Sequence, residues 1–147
     1  MGETFGLHLM VDGYGCDQSK LESQEYVRRF LDEFPENIGM TKLMSPYVSE
    51  YENGSSEHRG LSGFVLIAES HVSIHTFPWE GSISVDVFSC RIFDVRAAER
   101  EIVERFGIES IERHVLDRGI EYPINAEIVR EIVNAERAEC EIRVAGA

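Results

Sequence analysis

Residues 62–90 read SGFVLIAESHVSIHTFPWEGSISVDVFSC, and the fold turns on how this stretch is read. It is apolar enough for the centre of a sheet, yet it carries serine, histidine and cysteine at several points. Polar groups buried without partners cost free energy, so their presence here needs a chemical reason. The pattern predicts strands at 61–69, 71–77 and 82–90, with Pro78 to Gly81 as a turn between the last two. Alternation places Ser62, Phe64, Leu66, Ala68 and Ser70 on one face of the first strand. In the next strand His71, Ser73 and His75 lie on the face opposite Val72 and Ile74. A bend at Glu69-Ser70 would let the two polar sets approach one point.

Working outward, residues 4–12 (TFGLHLMVD) predict an earlier strand, broken by Gly13-Tyr14-Gly15. A helix is expected over roughly 18–34, capped by Asp17 or Ser19. Its buried stripe is Leu21, Val27, Phe30, Leu31 and Phe34, and Pro35 and Gly39 end it. Residues 40–49 suggest a strand interrupted near Pro46, hence an edge. Tyr51 to Gly60 (YENGSSEHRG) reads as a polar loop. Asp94 caps a helix to about 106, with Val95, Ala98, Ile102 and Phe106 inward, and 108–117 returns as a strand. A last helix, preceded by Pro123 and Asn125, is expected to about 138. Strands then helix, twice over, give an α+β two-layer sandwich: a mainly antiparallel sheet covered by helices on one face, in one domain over 1–147.

The composition narrows the function. Fourteen basic against 27 acidic side chains leave a net charge of −13, a poor surface for phosphate backbones, so nucleic acid is not an expected partner. A cationic small molecule meets no such repulsion. No apolar run is long enough to span a bilayer, and Met1-Gly2-Glu3 does not open like a secretory signal. Cys16, Cys90 and Cys140 form neither a disulfide framework nor a metal pattern, so no metal is expected and the reducing cytoplasm is the default setting. His8, His58 and His114 read as structural or exposed.

An Xaa-Ser bond in a strained turn can rearrange by itself. The hydroxyl attacks the preceding carbonyl and makes an ester; elimination then breaks the chain, and hydrolysis leaves a pyruvoyl ketone at the new N-terminus. This chemistry needs a serine at a junction, an oxyanion donor or base nearby, and a group that manages protons. Ser70, His75, Ser62 and Cys90 supply those residue types.

The string Ala68-Glu-Ser-His-Val-Ser-Ile-His-Thr-Phe-Pro78, followed by Val85-Asp-Val-Phe-Ser-Cys90, closely resembles the bacterial and archaeal S-adenosylmethionine decarboxylase proenzymes. Gly6-Leu-His-Leu and Gly15-Cys-Asp17 fit the same pattern, and the resemblance covers about residues 5–122. It implies self-cleavage between Glu69 and Ser70, giving chains 1–69 and 70–147, with Ser70 converted to the pyruvoyl group. It implies processing roles for His75 and Ser62, and for Cys90 the role of catalytic acid that returns a proton to the substrate α-carbon. It also implies a homodimer of cleaved protomers, and decarboxylation of S-adenosylmethionine for polyamine synthesis. Residues 123–147 would be a C-terminal extension.

Three positions depart from the family. Trp79 stands where a glutamate usually follows the proline and is thought to hold the substrate ribose, with Glu80 one residue later; both are candidate substrate contacts. Tyr51 is the single aromatic of the loop that tends to place a ring near the adenine. Arg91 replaces a usual glycine. All three touch nucleoside recognition, so arginine or ornithine is an alternative cationic substrate. A non-catalytic regulatory relative is a further alternative, against which Ser70, His75 and Cys90 stand together.

Overall fold

The computed structural model describes residues 5–52, 54, 55, 57–120 and 135. Among these, six strands build one sheet: β1 (Gly6–Tyr14), β2 (Tyr47–Glu52), β3 (Arg59–Ile67), β4 (Ser70–Phe77), β5 (Ser82–Ser89) and β6 (Ser110–Arg118). The sheet order is β2-β3-β4-β5-β1-β6, and every neighbouring pair is antiparallel. The helices are α1 (Gln18–Leu21), α2 (Gln24–Asn37) and α3 (Val95–Phe106). They pack on one face, α2 against β3 and α3 against β1, which is the α+β sandwich expected. No helix among the described residues is long and apolar enough to cross a membrane.

Two-residue alternation builds the core. Leu9 and Val11 of β1, Val65 and Ile67 of β3, Val72 and Ile74 of β4, and Val85 and Val87 of β5 point to the helices and are buried. The stripe read from the sequence, Leu21, Val27, Phe30, Leu31 and Phe34, meets them and is also buried. Ala98, Ile102 and Phe106 do the same for α3, whose Asp94 carboxylate accepts the Ala97 N–H at 3.0 Å. Removing an aromatic such as Phe30 would cost about 3–5 kcal/mol.

Several boundaries move, each for a local reason. The helix expected over 18–34 is two helices. Asp17 caps the first, but Ser23 accepts the Tyr26 N–H and starts the second. Pro35 does not stop α2. It sits in the last turn, and the end comes at Gly39, whose φ of 79° leaves helical space. Gly13 and Tyr14 remain in β1, and the break falls at Gly15, with a φ of 66°. Residues 40–46 are not strand. They run along the end of β3 as a strap, with an isolated antiparallel bridge from Lys42 to Ile67, and regular pairing starts at Tyr47, on an edge as Pro46 suggested. The polar loop shrinks because Arg59 pairs in register with Glu52 and bonds its carboxylate at 3.1 Å. The helix expected after Pro123 and Asn125 lies almost wholly outside the described residues.

Candidate active site

The turn between β3 and β4 is Ala68-Glu69, and Ser70 opens β4. Ser70 has a φ of 153°, the one positive value at a non-glycine among the described residues. Such a conformation costs on the order of 1–3 kcal/mol and persists only where its surroundings impose it. They do so from two sides. The Ala68 N–H donates to the Thr41 carbonyl at 2.8 Å, and the Glu69 carboxylate accepts the Thr41 N–H at 3.2 Å. On the other side, the Cys90 N–H donates to the Glu69 carbonyl at 2.8 Å. That carbonyl belongs to the Glu69–Ser70 peptide. A fixed donor at this distance polarises it and would stabilise the oxyanion formed when a hydroxyl attacks.

Cys90 is itself held. The buried Ser89 hydroxyl accepts the Arg91 N–H at 2.9 Å and donates to the Arg91 carbonyl at 2.6 Å, closing a tight loop around it. Gly6 passes alongside. A Cβ there would stand 2.6 Å from the Ser89 carbonyl oxygen and 3.2 Å from the Cys90 Cα, so only glycine fits. The Cys90 thiol is exposed.

Ser62 and His75 form a second centre. They face each other across β3 and β4, and Ser62 Oγ lies 2.9 Å from His75 Nδ1. Their contact follows from the antiparallel register that the Ala68-Glu69 turn imposes. The expected bend falls one residue earlier, at Ala68-Glu69, and sets Ser62 opposite His75, but β4 then pairs without interruption from Ser70 to Phe77, so it does not carry His75 to Ser70. Five residues of strand place His75 roughly 17 Å along the sheet from Ser70. Within one chain the two cannot touch.

The face of the sheet away from the helices is polar and aromatic near Ser70. Phe88 packs between His8 and His71, with ring centroids 5.8 and 5.6 Å away, and the Arg118 guanidinium lies 3.9 Å over its ring. His8 Nε2 meets Asp86 Oδ1 at 2.9 Å, so His8 belongs to this cluster. Burial holds the His71 imidazole below its ordinary pKa, helped by the charges of His8 and Arg118 against Asp86. One row further along, Ser84 Oγ donates to Asp12 at 2.7 Å.

Trp79 and Glu80 form a short 3-10 turn (Pro78–Glu80) at the far end of β4, on the His75 side. The Trp79 ring lies against His58 at 5.4 Å and edge-on to Phe77 at 5.8 Å. A cleft of about 350 Å³ opens beside it, lined among others by Glu22, Glu50, Glu57 and Arg59, and it contains neither Ser70 nor Cys90. Burial pushes the Cys16 thiol up to about 11, so it is no nucleophile at neutral pH. Cys140 lies outside the described residues. Two participants carried no signal in the sequence. The Cys90 donor is backbone, and Thr41 reaches Glu69 only through the path of the strap.

Residues 7–119 match the family model described as S-adenosylmethionine decarboxylase. The chain belongs to the S-adenosylmethionine decarboxylase family. The S-adenosylmethionine decarboxylase proenzyme of Aquifex aeolicus is 36% identical over 123 residues, covering 82% of this chain and 85% of that one. The proenzyme of Archaeoglobus fulgidus is 36% identical over 115 residues, covering 78% and 97%. The crystal structure of the adenosylmethionine decarboxylase from Aquifex aeolicus superposes with a TM-score of 0.66 at 32% identity, covering 80% of this chain and 93% of that chain. The S-adenosylmethionine decarboxylase match contains Ser62, Ser70, His75 and Cys90, and it ends before the expected extension.

Proposed function

We propose that this protein is a self-cleaving, pyruvoyl-dependent S-adenosylmethionine decarboxylase, a cytoplasmic carboxy-lyase that serves polyamine synthesis. The observation that carries the reading is the Glu69–Ser70 junction. A serine in a strained backbone follows a carbonyl already held by the Cys90 N–H at 2.8 Å. Attack of Ser70 Oγ on the Glu69 carbonyl carbon breaks the amide C–N bond and passes the hydroxyl proton to the freed amine. The product is an ester, relieved of the strain. Loss of the Ser70 α-proton to a base expels the Glu69 carboxylate from Cβ and leaves dehydroalanine. Tautomerisation to the imine and addition of water release ammonia and leave the ketone. A pyruvoyl ketone at position 70 supplies the electron sink for the pair released as CO2 departs.

The other residues take roles their geometry supports. Ser62 ties up His75 Nδ1 and fixes the ring, so proton exchange falls to Nε2. His75 is then a suitable base for the α-proton, but not within its own chain. The arrangement is completed by a second copy, in which the His75 of each protomer serves the Ser70 of the other. The face that would be shared is rich in exposed apolar groups: Tyr47, Tyr51, Phe64, Leu66 and Leu116. Trp79 and Glu80 lie at the His75 end and would face the same shared centre as candidate substrate contacts. The exposed Cys90 thiol, next to the junction, suits the acid that reprotonates the substrate α-carbon.

Intact-mass measurement tests the first step. Two fragments are expected, 1–69 and 70–147, the second with a blocked N-terminus, and Ser70→Ala should stay whole. Cleavage of Ser70→Ala at that link would end the proposal. CO2 release from S-adenosylmethionine, arginine and ornithine then fixes the substrate. Trp79 is the observation that favours testing the two amino acids, and turnover of one of them alone would replace the nucleoside assignment.

A further inference from the structure

The strap between α2 and β2 does more than connect them. Thr41 is bonded to the scissile hairpin through both of its backbone groups: its carbonyl takes the Ala68 N–H at 2.8 Å, and its N–H reaches the Glu69 carboxylate at 3.2 Å. Next along the strap, Lys42 bridges Ile67, and the Leu43 N–H donates to the Leu66 carbonyl at 2.9 Å. Met40 anchors the strap in the core at 4% exposure. Glu69 is itself only 9% exposed, unusual for a glutamate in a two-residue hairpin turn. Its side chain is pulled inward to the strap while its carbonyl is pulled to Cys90. These two tethers act on one residue, immediately before the serine with the φ of 153°.

We propose that Glu69 is a positioning residue for self-cleavage: its carboxylate, bonded to the Thr41 N–H, fixes the Glu69 peptide so that its carbonyl meets the Cys90 N–H and Ser70 is held in the strained backbone. This rests on the self-cleavage reading above and adds to it a part for the Glu69 side chain and for the strap. An untethered Glu69 could rotate with the hairpin, let Ser70 relax to an ordinary strand conformation, and withdraw the carbonyl from its donor. The interaction needs reach and an acceptor oxygen, not a charge. Glutamine keeps both, aspartate is a methylene too short, and alanine has neither.

The test compares cleavage rates of freshly folded wild type, Glu69→Gln, Glu69→Asp and Glu69→Ala by intact mass over time. Loss of a hydrogen bond from a charged acceptor corresponds to a slowing of at least about tenfold. Glu69→Ala and Glu69→Asp should slow by at least that much, while Glu69→Gln recovers to within about threefold of wild type. Hydroxylamine, which cuts an ester but leaves an amide, reports the share of chains that have shifted. That share should fall in the Asp and Ala variants and recover with Gln. A merely structural role would lower the melting temperature without changing the ester share of folded chains. Should Glu69→Ala fail to fold, Asp against Gln still decides. Wild-type rates in Glu69→Asp, or a Glu69→Gln as slow as Asp, would overturn the proposal. Wild type that never cleaves would instead remove the self-cleavage reading itself.

Discussion

His75 and Ser70 are separated by roughly 17 Å of continuous strand, and a proton transfer needs its partners within about 3.2 Å. No rotamer of histidine spans that gap, so processing should require the His75 of another copy. Mixing two inactive variants tests this. Ser70→Ala lacks the nucleophile but keeps His75; His75→Ala keeps Ser70 but lacks its own base. Each alone should remain uncleaved or stall. Unfolded together in equal amounts and refolded, random pairing puts about half of the His75→Ala chains beside a Ser70→Ala partner in a two-fold dimer. Those chains have an intact Ser70 served by an intact His75, so up to about half of the His75→Ala material should complete cleavage, and the Ser70→Ala chains should stay whole. The two proteins are resolved by mass once one carries an isotopic label. Complementation absent from verified mixed dimers would refute the argument from strand length. So would efficient cleavage of a wild-type chain held monomeric by dilution.

Three more outcomes follow from the same geometry. Cys90→Ala removes the thiol but keeps the backbone N–H on the Glu69 carbonyl, so cleavage should persist while turnover of the substrate falls by about 100-fold or more, measured by CO2 release. Gly6→Ala forces a Cβ to 2.6 Å from the Ser89 carbonyl, so the loop carrying Cys90 must shift; a loss of about 1–3 kcal/mol by denaturant titration, with slower self-cleavage, is expected. The folded protein holds His71 below 6.5, mainly by burial and then by His8 and Arg118, so as pH falls the unfolded chain takes up this proton first. The contribution is full above about 6.5 and is lost below it as pH drops through the folded value. The acid side of the stability profile should therefore flatten in His71→Gln.

Much of the fold was legible because it follows from short periods. Alternation in 62–90 marked the central strands, and the spacing of Val27, Phe30, Leu31 and Phe34 marked the helix that covers them. The errors were at punctuation. Ser23 opens a second helix inside what reads as one stripe, since a cap and a surface serine look alike in sequence. Residues 40–46 have the composition of a strand, but the carbonyl and N–H of Thr41 are claimed by Ala68 and Glu69, which lie far along the chain. His8 read only as structural or exposed, because its partner, Asp86, is brought beside it by the pairing of β1 with β5.

The sequence by itself determined which groups are present for the chemistry. Ser62, Glu69, Ser70, His75 and Cys90 are fixed by covalent order, and the alternation of a strand assigns most of them a face. Only the tertiary structure decided which of them can meet. Register across β3 and β4 joins Ser62 to His75. The strap and Cys90 together hold one peptide out of its relaxed conformation, and the stiffness of β4 keeps His75 from the serine five residues before it. Contacts between distant residues depend on register and chain path, and neither is written in local composition.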